Sequence, residues 1–336
     1  MSFFLMVGWT TNLVRGSSGC AAFFSGASNG CGVHVIYDTV IVGGGAAGLS
    51  AALVLGRCIR TLLVCDSGRY RNQRSTALHC YMGHDGVAPK DLLDLARRQV
   101  KRYDCVEFVG GLVVALERID GAFAVSFDDG RSVRARTLLV ATGVVDELPP
   151  IEGIEQLFGR SVHVCPYCDG WEHRDAPVAV FGRGEKGAGL ANLLHQWTRD
   201  LVLCTHGPSE LTGDQGARLE RLGIVVREEP IVRLEGANGC LEAVVFGGGL
   251  RIQRKAMFFN TGQHPRSRLL EQLGCRYGEK GIEYDDDGAT SVPGVYVAGD
   301  VSRDVQLVII AAAEGARAAL AINKALLRMD GKLGLE

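Results

Sequence analysis

The sequence predicts an α/β protein with two Rossmann-like domains, the second inserted into the first, on three observations. A β-branched run at 34–42 leads into a glycine-rich turn at 43–48, and a small-residue helix follows. A second run and glycine turn of the same kind occupy 178–187. Late in the chain, 295–300 read as another apolar strand that belongs with the first unit. Parallel strands are covered on both faces, which is why they read as continuous apolar runs.

The length of 336 residues fits about two domains. We expect residues 1–35 to form a Gly/Ser-rich N-terminal extension with little fixed structure. The first domain should comprise 36–147 and 263–336, and the inserted domain should comprise 148–262.

The remaining elements follow from apolar runs and turn signals. Before the insertion the sequence predicts a helix at 49–55, a strand at 61–66, a polar loop at 67–90, a helix at 91–103, strands and turns at 106–140, and a strand at 137–143 that ends in a glycine turn. After a linker at 147–150 it predicts strands at 178–181, 201–204 and 256–260, and helices at 190–197 and 305–327.

Charge and composition exclude several classes of protein. The formal net charge of −2 lacks the basic footprint of a nucleic-acid-binding or polybasic membrane-surface protein. No apolar run approaches the roughly 18 residues of a membrane span. The 11 cysteines are odd in number and scattered, with one close pair, which indicates reduced thiols and a cytoplasmic protein rather than a secreted disulfide framework.

The first glycine turn has the spacing Gly43-x-Gly45-x-x-Gly48, between a strand and a helix. Gly43 permits the tight turn, Gly45 lets a pyrophosphate approach the backbone, and Gly48 lets helix and strand pack closely. The helix N-terminus then faces the diphosphate. Asp66 lies 18 residues after the third glycine, where an acid can bind a ribose hydroxyl. Together these features predict a dinucleotide site.

The second glycine turn consists of Gly182, Gly184 and Gly187 and also follows a strand. Eighteen residues later stand Thr205 and His206, so neither an acid for an NAD ribose nor an arginine for a 2′-phosphate is present. The turn predicts a cradle for a second nucleotide without encoding which one. A Rossmann fold retained without a ligand is the alternative.

The close cysteine pair is Cys165-Pro-Tyr-Cys168, followed by Asp169. We favour a redox-active disulfide, because a dithiol between two dinucleotide folds can exchange electrons with a bound cofactor. A helix that began at the pair would lower the thiol pKa. Asp169 is the nearest proton donor and acceptor, or else a helix cap. Two alternatives stay open, a zinc site completed by His163 and His173 and a pair of inert core thiols.

The order of these motifs resembles the low-molecular-weight thioredoxin reductases and their close flavoprotein relatives, over roughly residues 36–330. The resemblance rests on five motifs: Val-Gly-Gly-Gly-Ala-Ala-Gly-Leu (42–49), Ala-Thr-Gly (141–143), Cys-Pro-Tyr-Cys-Asp-Gly (165–170), Gly-Arg-Gly-Glu-Lys-Gly (182–187) and Pro-Gly-Val-Tyr-Val-Ala-Gly-Asp (293–300). It implies that FAD is bound by the first and last segments, that the chain forms a homodimer, and that the substrate is a thioredoxin-like protein or a small dithiol or disulfide.

The resemblance also implies residue roles. Cys168 would lie against the flavin, Cys165 would exchange with the substrate disulfide, and Asp169 would handle protons. The ADP half of FAD would be held by Gly43, Gly45, Gly48 and Asp66, and the rest of the cofactor would be approached by Gln73, Thr142, Gly143, Gly299, Asp300, Gln306 and Leu307.

One segment departs from the family. NADPH-dependent members carry a His-Arg-Arg segment after the second strand of the insert, whereas this chain has Cys-Thr-His-Gly-Pro-Ser-Glu at 204–210. The missing arginines argue against NADPH as the donor. The leading hypothesis is therefore an FAD-dependent thiol–disulfide oxidoreductase. Its alternatives are an NADPH-independent relative, either a dithiol oxidase that uses oxygen or a ferredoxin-linked reductase, and a non-catalytic zinc- or flavin-binding regulatory protein.

Overall fold

The structure, a computed structural model, describes residues 35–279, 281–302 and 305–334. The N-terminal extension is predicted for residues 1–35, of which the structure describes only Val35, so this prediction lies outside the described residues. Within the described ranges, no helix combines the length and the apolar character needed to cross a membrane.

The strands, in chain order, are β1 (Ile36–Val42), β2 (Leu62–Asp66), β3 (Val106–Gly110), β4 (Val113–Ile119), β5 (Ala122–Phe127), β6 (Ser132–Val140), β7 (Val144–Asp146), β8 (Val162–His163), β9 (Val178–Phe181), β10 (Leu201–Cys204), β11 (Val225–Arg227), β12 (Ile231–Ala237), β13 (Cys240–Phe246), β14 (Arg251–Gln253), β15 (Ala256–Phe259), β16 (Gln263–Pro265), β17 (Tyr277–Gly278), β18 (Gly281–Ile282) and β19 (Val295–Val297). The helices are α1 (Ala46–Arg57), α2 (Pro89–Val100), α3 (Ile154–Leu157), α4 (Pro166–Asp169), α5 (Gly184–Leu194), α6 (Gly213–Arg221), α7 (Leu269–Gln272) and α8 (Val308–Met329).

The first sheet unites the two ends of the chain. Its order is β3-β2-β1-β6-β5-β4, and β19 pairs with β6. Strand β2 pairs in parallel with β1 and β3, and β6 pairs in parallel with β1 and β19. Val40 of β1 stands opposite both Leu63 of β2 and Leu138 of β6. The antiparallel strands β4 and β5 extend the sheet from the first half of β6. This is the first Rossmann-like unit.

Helices α1 and α8 cover one face of this sheet. Leu55 of α1 and Ile322 and Leu326 of α8 belong to one buried cluster. The two helices approach closely at Gly315, where a Cβ atom would lie 2.0 Å from the Ala47 carbonyl oxygen. This close packing fixes the N-terminal turns of both helices at the same edge of the sheet.

The second sheet lies in the middle of the sequence. Its order is β11-β10-β9-β15-β8, and every pairing is parallel. Helix α5 packs on one face through Leu190 and Leu194, and β12 and β13 pack on the other face through Leu234 and Phe246. The predicted fold class, two Rossmann-like units with the second inserted into the first, is thereby confirmed.

The chain crosses between the sheets twice, and the two crossing segments pair with each other. Strand β7 runs antiparallel to β16, with Val145 opposite His264. The predicted boundaries at 147–148 and 262–263 lie beside these strands and stay predictions.

The element boundaries differ from the expected ones mainly where glycine turns join strands to helices. Helix α5 begins at Gly184 rather than at 190, because the glycine turn itself forms the first turn of the helix. The late strand ends at Val297 rather than at 300, because Gly299 adopts a φ of +80° and a short 3-10 turn begins at Asp300.

Candidate active site

A cavity of about 520 Å³ extends from the first glycine turn to the cysteine pair. Its volume lies within the range of about 300–1,000 Å³ that is typical of sites for small molecules and cofactors. Twelve of the predicted site residues line it, namely Gly43, Gly45, Asp66, Thr142, Gly143, Cys165, Cys168, Asp169, Gly299, Asp300, Gln306 and Leu307.

The first glycine turn leaves its backbone open toward the cavity. Gly43 has a φ of +120°, and a Cβ atom there would lie 2.2 Å from the Ala141 carbonyl oxygen. Gly48 lies behind the turn, where a Cβ atom would lie 1.9 Å from the Gly43 oxygen. At Gly45 a Cβ atom would meet no other atom within 4 Å and would instead fill part of the cradle. The geometry fits a pyrophosphate held by backbone N–H groups.

Asp66 ends β2 at one side of the cavity. Its Oδ1 accepts a hydrogen bond from the Gly68 N–H at 2.9 Å, and its Oδ2 accepts from Arg97 Nη2 at 2.7 Å and from the Tyr70 hydroxyl at 2.5 Å. Burial and the bond to Asp66 raise the pKa of Tyr70, so this hydroxyl keeps its proton. The carboxylate is thus fixed in place at the ribose position of a dinucleotide fold.

A cluster around Arg71 forms another part of the wall. Arg71 donates to Asp146 through Nε and Nη2, at 2.8 and 2.6 Å, and its Nη1 donates to Asp300 at 2.9 Å and to Gln306 Oε1 at 2.6 Å. The other amide atom of Gln306, Nε2, is buried and has no hydrogen-bond partner among the described residues. A buried donor without a partner costs roughly 1–3 kcal/mol, so this atom fits a polar ligand in the cavity.

Gln73 is not brought to the cavity. Its Oε1 accepts a hydrogen bond from the Tyr70 backbone N–H at 3.3 Å, while Arg71 and Asn72 line the wall instead. Thr142 contacts Ser267 through their hydroxyl oxygens at 3.2 Å.

The cysteine pair closes the far end of the cavity as a disulfide. Cys165 and Cys168 have their Cα atoms 5.3 Å apart. Cys165 caps the one-turn helix α4, and its sulfur accepts the Cys168 backbone N–H at 3.1 Å. Between them Tyr167 is 63% exposed and stands edge-on to Trp197. The cap is Cys165, so the alternative that Asp169 caps a helix is wrong.

The neighbouring histidines do not form a metal site with the cysteines. Asp169 Oδ1 lies 3.2 Å from His163 Nδ1, and His163 Nε2 lies 3.0 Å from His173 Nε2. The two sulfurs are bonded to each other, and the described ranges contain no group of three or more His, Cys, Asp or Glu side chains arranged to hold a metal ion. The arrangement supports neither the zinc alternative nor a pair of inert core thiols.

A pattern typical of one protein family, pyridine nucleotide-disulphide oxidoreductases, matches residues 37–315. The chain belongs to this family. Within it, a thioredoxin reductase from Claviceps purpurea is 31% identical over 79% of this chain and 86% of its own length. The crystal structure of the protein HlmI has a TM-score of 0.84 at 38% identity, covering 88% of this chain and 94% of that chain. An oxidoreductase from Agrobacterium tumefaciens has a TM-score of 0.82 at 33% identity, covering 88% and 99%.

These similarities establish a thioredoxin reductase-like oxidoreductase that acts on disulfides, as the sequence predicted. The family implies FAD as cofactor, and the glycine cradle together with the unpartnered Gln306 amide fits it. Membership of the family does not by itself identify the nicotinamide partner.

The second turn of this family member packs as closely as the first, but a loop covers it. The backbones of Gly182 and Gly187 approach so closely that a Cβ atom at 187 would lie 2.5 Å from the Gly182 carbonyl carbon. The Gly184 N–H donates to the Ser209 carbonyl at 2.8 Å. Arg183 donates to the carbonyl oxygens of Thr205, at 2.6 Å, and of His206. The loop at 205–210 therefore lies directly over the turn.

Sequence reasoning missed two groups of this site, the Arg71 cluster and the clamp of Arg97 on Asp66. The partners of Arg71 come from β7 and from the region before α8, far away in the sequence. The one available signal was the run Arg-Tyr-Arg-Asn at 69–72, which places cationic side chains directly after a nucleotide-binding strand.

Proposed function

We propose that the protein is an FAD-dependent thiol–disulfide oxidoreductase in which Cys165 and Cys168 carry two electrons between the flavin and a thiol or disulfide substrate. The observation that supports this role is that the disulfide and the first glycine turn line one cavity. The disulfide and the cofactor that the turn would hold would therefore share one cavity.

FAD supplies a two-electron acceptor and donor when it is bound. Gly43, Gly45 and the first turn of α1 would hold its pyrophosphate, with Gly48 as the packing position behind them, and Asp66 would bind the ribose. Along the rest of the cavity wall, the residues proposed to contact the cofactor are Thr142, Gly143, Gly299, Asp300, Gln306 and Leu307. Arg71 would orient Asp300 and Gln306, and Gln73, predicted to lie near the flavin, does not line the cavity.

The cysteines divide the exchange between them. In the reductive direction the Cys165 thiolate attacks a substrate disulfide, one substrate sulfur leaves as a thiolate, and a mixed disulfide forms. Cys168 then attacks Cys165, which releases the second substrate sulfur and restores the Cys165–Cys168 disulfide. The Cys168 N–H that points at the Cys165 sulfur favours the Cys165 thiolate, because a hydrogen bond to the charged form stabilises it. Asp169 gives and takes the protons.

The substrate class follows from the relatives and from the exposed edge of the pair. Relatives named thioredoxin reductase support a thioredoxin-like protein, or a small dithiol or disulfide, as the substrate. Tyr167, between the cysteines, is 63% exposed and presents an aromatic surface to either substrate at the outer face of the pair. A cytoplasmic location and a homodimer are part of this proposal, and light scattering after size-exclusion chromatography tests the homodimer.

A second candidate function, an NADPH-independent enzyme, is favoured by the loop over the second glycine turn. In a working dinucleotide cradle the N–H groups at the helix start bind phosphate, but here the Gly184 N–H is already used by Ser209. The loop is held in place from its far side, since the Ser209 N–H donates to Glu228 Oε1 at 2.8 Å. Gly182, Gly184 and Gly187 would then serve packing rather than a second nucleotide.

As a dithiol oxidase, the protein would pass electrons from a dithiol substrate through the cysteine pair to the flavin, and oxygen would accept two electrons and two protons and leave as hydrogen peroxide. As a ferredoxin-linked reductase, it would pass electrons the other way, because reduced ferredoxin would supply them in place of NADPH and the cysteine pair would reduce a disulfide substrate. The reductase and the NADPH-independent enzyme share the cysteine chemistry and differ only in what exchanges electrons with the flavin.

Replacement of the cysteines tests the shared chemistry. We expect Cys165→Ser in the FAD-loaded protein to abolish turnover with both thioredoxin and dithiothreitol. Cys240→Ser is the matched control, because Cys240 is a free and exposed cysteine far along the sequence. Full turnover by Cys165→Ser would refute the proposed role.

An anaerobic titration separates the two candidates. NADPH, NADH and dithiothreitol are added in turn to the FAD-loaded protein, and the flavin absorbance is recorded. Bleaching by dithiothreitol alone, followed by reoxidation and peroxide formation on admission of air, supports the dithiol oxidase. Prompt bleaching by stoichiometric NADPH supports the reductase and refutes the occlusion of the second turn.

A further inference from the structure

Behind the disulfide, three side chains form a continuous chain of contacts. Asp169 directly follows Cys168 in α4, and its Oδ1 lies 3.2 Å from His163 Nδ1. His163 belongs to β8, and its other ring nitrogen lies 3.0 Å from Nε2 of His173, in the short 3-10 turn after α4. Each contact has hydrogen-bond length, so the chain leads from the residue beside the redox sulfur to His173.

The chemistry of the contacts fixes where the protons lie. Two imidazole nitrogens at hydrogen-bond distance require one N–H and one lone pair. With Asp169 ionised, His163 donates from Nδ1 to the carboxylate, which leaves its Nε2 as the acceptor. His173 must then donate from Nε2. His173 thus donates to His163, and His163 donates to Asp169.

The surroundings hold both rings in place and keep His173 neutral. His163 is 6% exposed and rests on Phe258 of β15, with ring centroids 5.2 Å apart; His173 meets the same phenyl ring edge-on. Burial, followed by the proximity of His163, lowers the pKa of His173 to about 4, and the carboxylate of Asp169 opposes this shift. Nearby Glu172 pairs with His79 instead, at 3.4 Å.

A ligand in the cavity would reduce the contact of Asp169 with water, because its side chain is only 23% exposed without one. Asp169 lines the cavity, so a bound cofactor there covers one side of its carboxylate. His163 is buried, whereas His173 is half-buried beside the exposed residues Trp171 and Arg174. His173 is consequently the member of the chain through which water exchanges protons.

We propose that His163 and His173 are positioning residues that relay protons between Asp169 and solvent. The proposal rests on the proposed function, because it needs a cysteine pair that cycles between disulfide and dithiol. Reduction of the disulfide breaks the S–S bond and takes up two electrons from the flavin or a dithiol substrate, together with two protons.

One of these protons follows the relay. The proton on His163 Nδ1 passes to the ionised Asp169 carboxylate and from there to the departing sulfur, His163 Nε2 takes the proton of His173 Nε2, and His173 Nδ1 binds a proton from water. Reoxidation of the dithiol sends a proton back along the same path and restores the starting tautomers. The relay therefore works in both directions of electron flow.

The rate of disulfide reduction tests the relay without flavin turnover. Full-length FAD-loaded protein is mixed with dithiothreitol, quenched with an alkylating reagent, and the Cys165–Cys168 thiols are counted by mass spectrometry across pH 5.5–8.5. We expect His173→Ala to slow reduction about 10-fold, less than the roughly 10²–10⁴-fold that direct general acid–base catalysis contributes, because His173 acts through Asp169, and imidazole in the buffer to restore it. His173→Gln should be slow and not restored. His264→Gln, at an exposed histidine of β16, is the matched control.

Nitrogen NMR of histidine-labelled protein gives an independent readout. We expect His173 to stay neutral with its proton on Nε2 between pH 5.5 and 8, and His163 to carry its proton on Nδ1. Unchanged reduction rates in both His173 variants, or a charged His173 at pH 6, would overturn the relay. A failure of the proposed function is distinguishable, because Cys165→Ser would then retain turnover whatever the histidine variants do.

Discussion

Arg71 and Asp146 form a two-pronged ion pair, with Nη2 2.6 Å from Oδ1 and Nε 2.8 Å from Oδ2, that joins the loop after β2 to the first crossing strand. The third guanidinium nitrogen of Arg71 contacts Asp300 and Gln306 at the beginning of the last segment of the chain. A single side chain therefore holds together three segments of the chain that line the cofactor cavity. The neighbouring carboxylates raise the pKa of Arg71 despite its burial, so it stays charged.

Replacement of Arg71 by methionine should damage both stability and FAD binding. Asp146, whose side chain is 5% exposed, would lose its cation, and Gln306 would lose the partner of its Oε1. We expect the free energy of unfolding to fall by about 2–3 kcal/mol and FAD affinity to fall by about tenfold or more. Urea unfolding and flavin fluorescence titration measure the two effects.

Arg268→Met is the matched control for this experiment, because Arg268 is a surface arginine with one weak ion pair at 4.0 Å. Surface pairs contribute roughly 0–1 kcal/mol. Equal behaviour of the two variants would show that Arg71 does not organise the cavity.

Close packing at Gly48 gives a second prediction. A Cβ atom there would lie 1.9 Å from the Gly43 oxygen, so Gly48→Ala must push the turn away from α1. We expect a loss of about 2–3 kcal/mol in unfolding free energy and loss of FAD from the purified protein. Thermal unfolding and the ratio of flavin to protein absorbance measure this.

Gly189→Ala is the control, since a Cβ atom in that exposed position of α5 meets nothing within 4 Å. It should stabilise the protein by about 0.4–1 kcal/mol and leave the flavin content unchanged. If Gly48→Ala retained its flavin as fully as Gly189→Ala, the turn would not be the cofactor cradle.

The parts of the site that could be predicted are those written locally in the sequence. The glycine spacing, the following helix and the acid at the end of β2 lie within one βαβ unit, so the positions of Gly43, Gly45 and Asp66 in the site could be predicted. The cysteine spacing likewise brings Cys165 and Cys168 within reach of each other in a single helical turn, as in α4.

The parts that could not be predicted depend on long-range contacts and irregular backbone. The loop between β2 and α2 has no repeating geometry, so its sequence does not tell whether Arg71 or Gln73 faces the cavity. The contact between His163 and His173 requires the turn after α4 to fold back on β8. Closure over the second glycine turn depends on His206 and Glu210 adopting positive φ angles, 53° and 55°, which residues other than glycine adopt only uncommonly.

That closure leads to a third prediction, on the role of the second glycine turn. Gly184 has a φ of +50°, and a Cβ atom would lie 3.3 Å from the Glu210 oxygen. Gly184→Ala should cost about 1–2 kcal/mol in unfolding free energy because an L-residue is strained there. Turnover of a dithiol substrate at saturating FAD should stay within twofold of wild type. A loss of turnover without a loss of stability would contradict a purely structural turn.

The end of α8 provides a prediction on pH dependence. Asp330, the residue after α8, accepts from Arg60 Nη1 at 2.9 Å and from Arg136 Nη2 at 2.7 Å. These hydrogen bonds lower the pKa of Asp330 from 3.8 to about 2. The ionised form is thus favoured in the folded state, and the stabilisation is full above about pH 4 and is lost as the pH falls through 2. We expect Asp330→Asn to lower the Tm at pH 7.

The pH dependence of this difference distinguishes an electrostatic role from a packing role. As the pH falls from 4 toward 2, the wild-type carboxyl becomes protonated like the amide, so the two melting temperatures should converge. Circular dichroism melting curves at half-unit pH intervals measure this, with the exposed Asp286→Asn as control. A Tm difference that stays constant down to pH 2 would show that Asp330 stabilises the helix end through its shape, because a contact that does not depend on charge cannot respond to protonation.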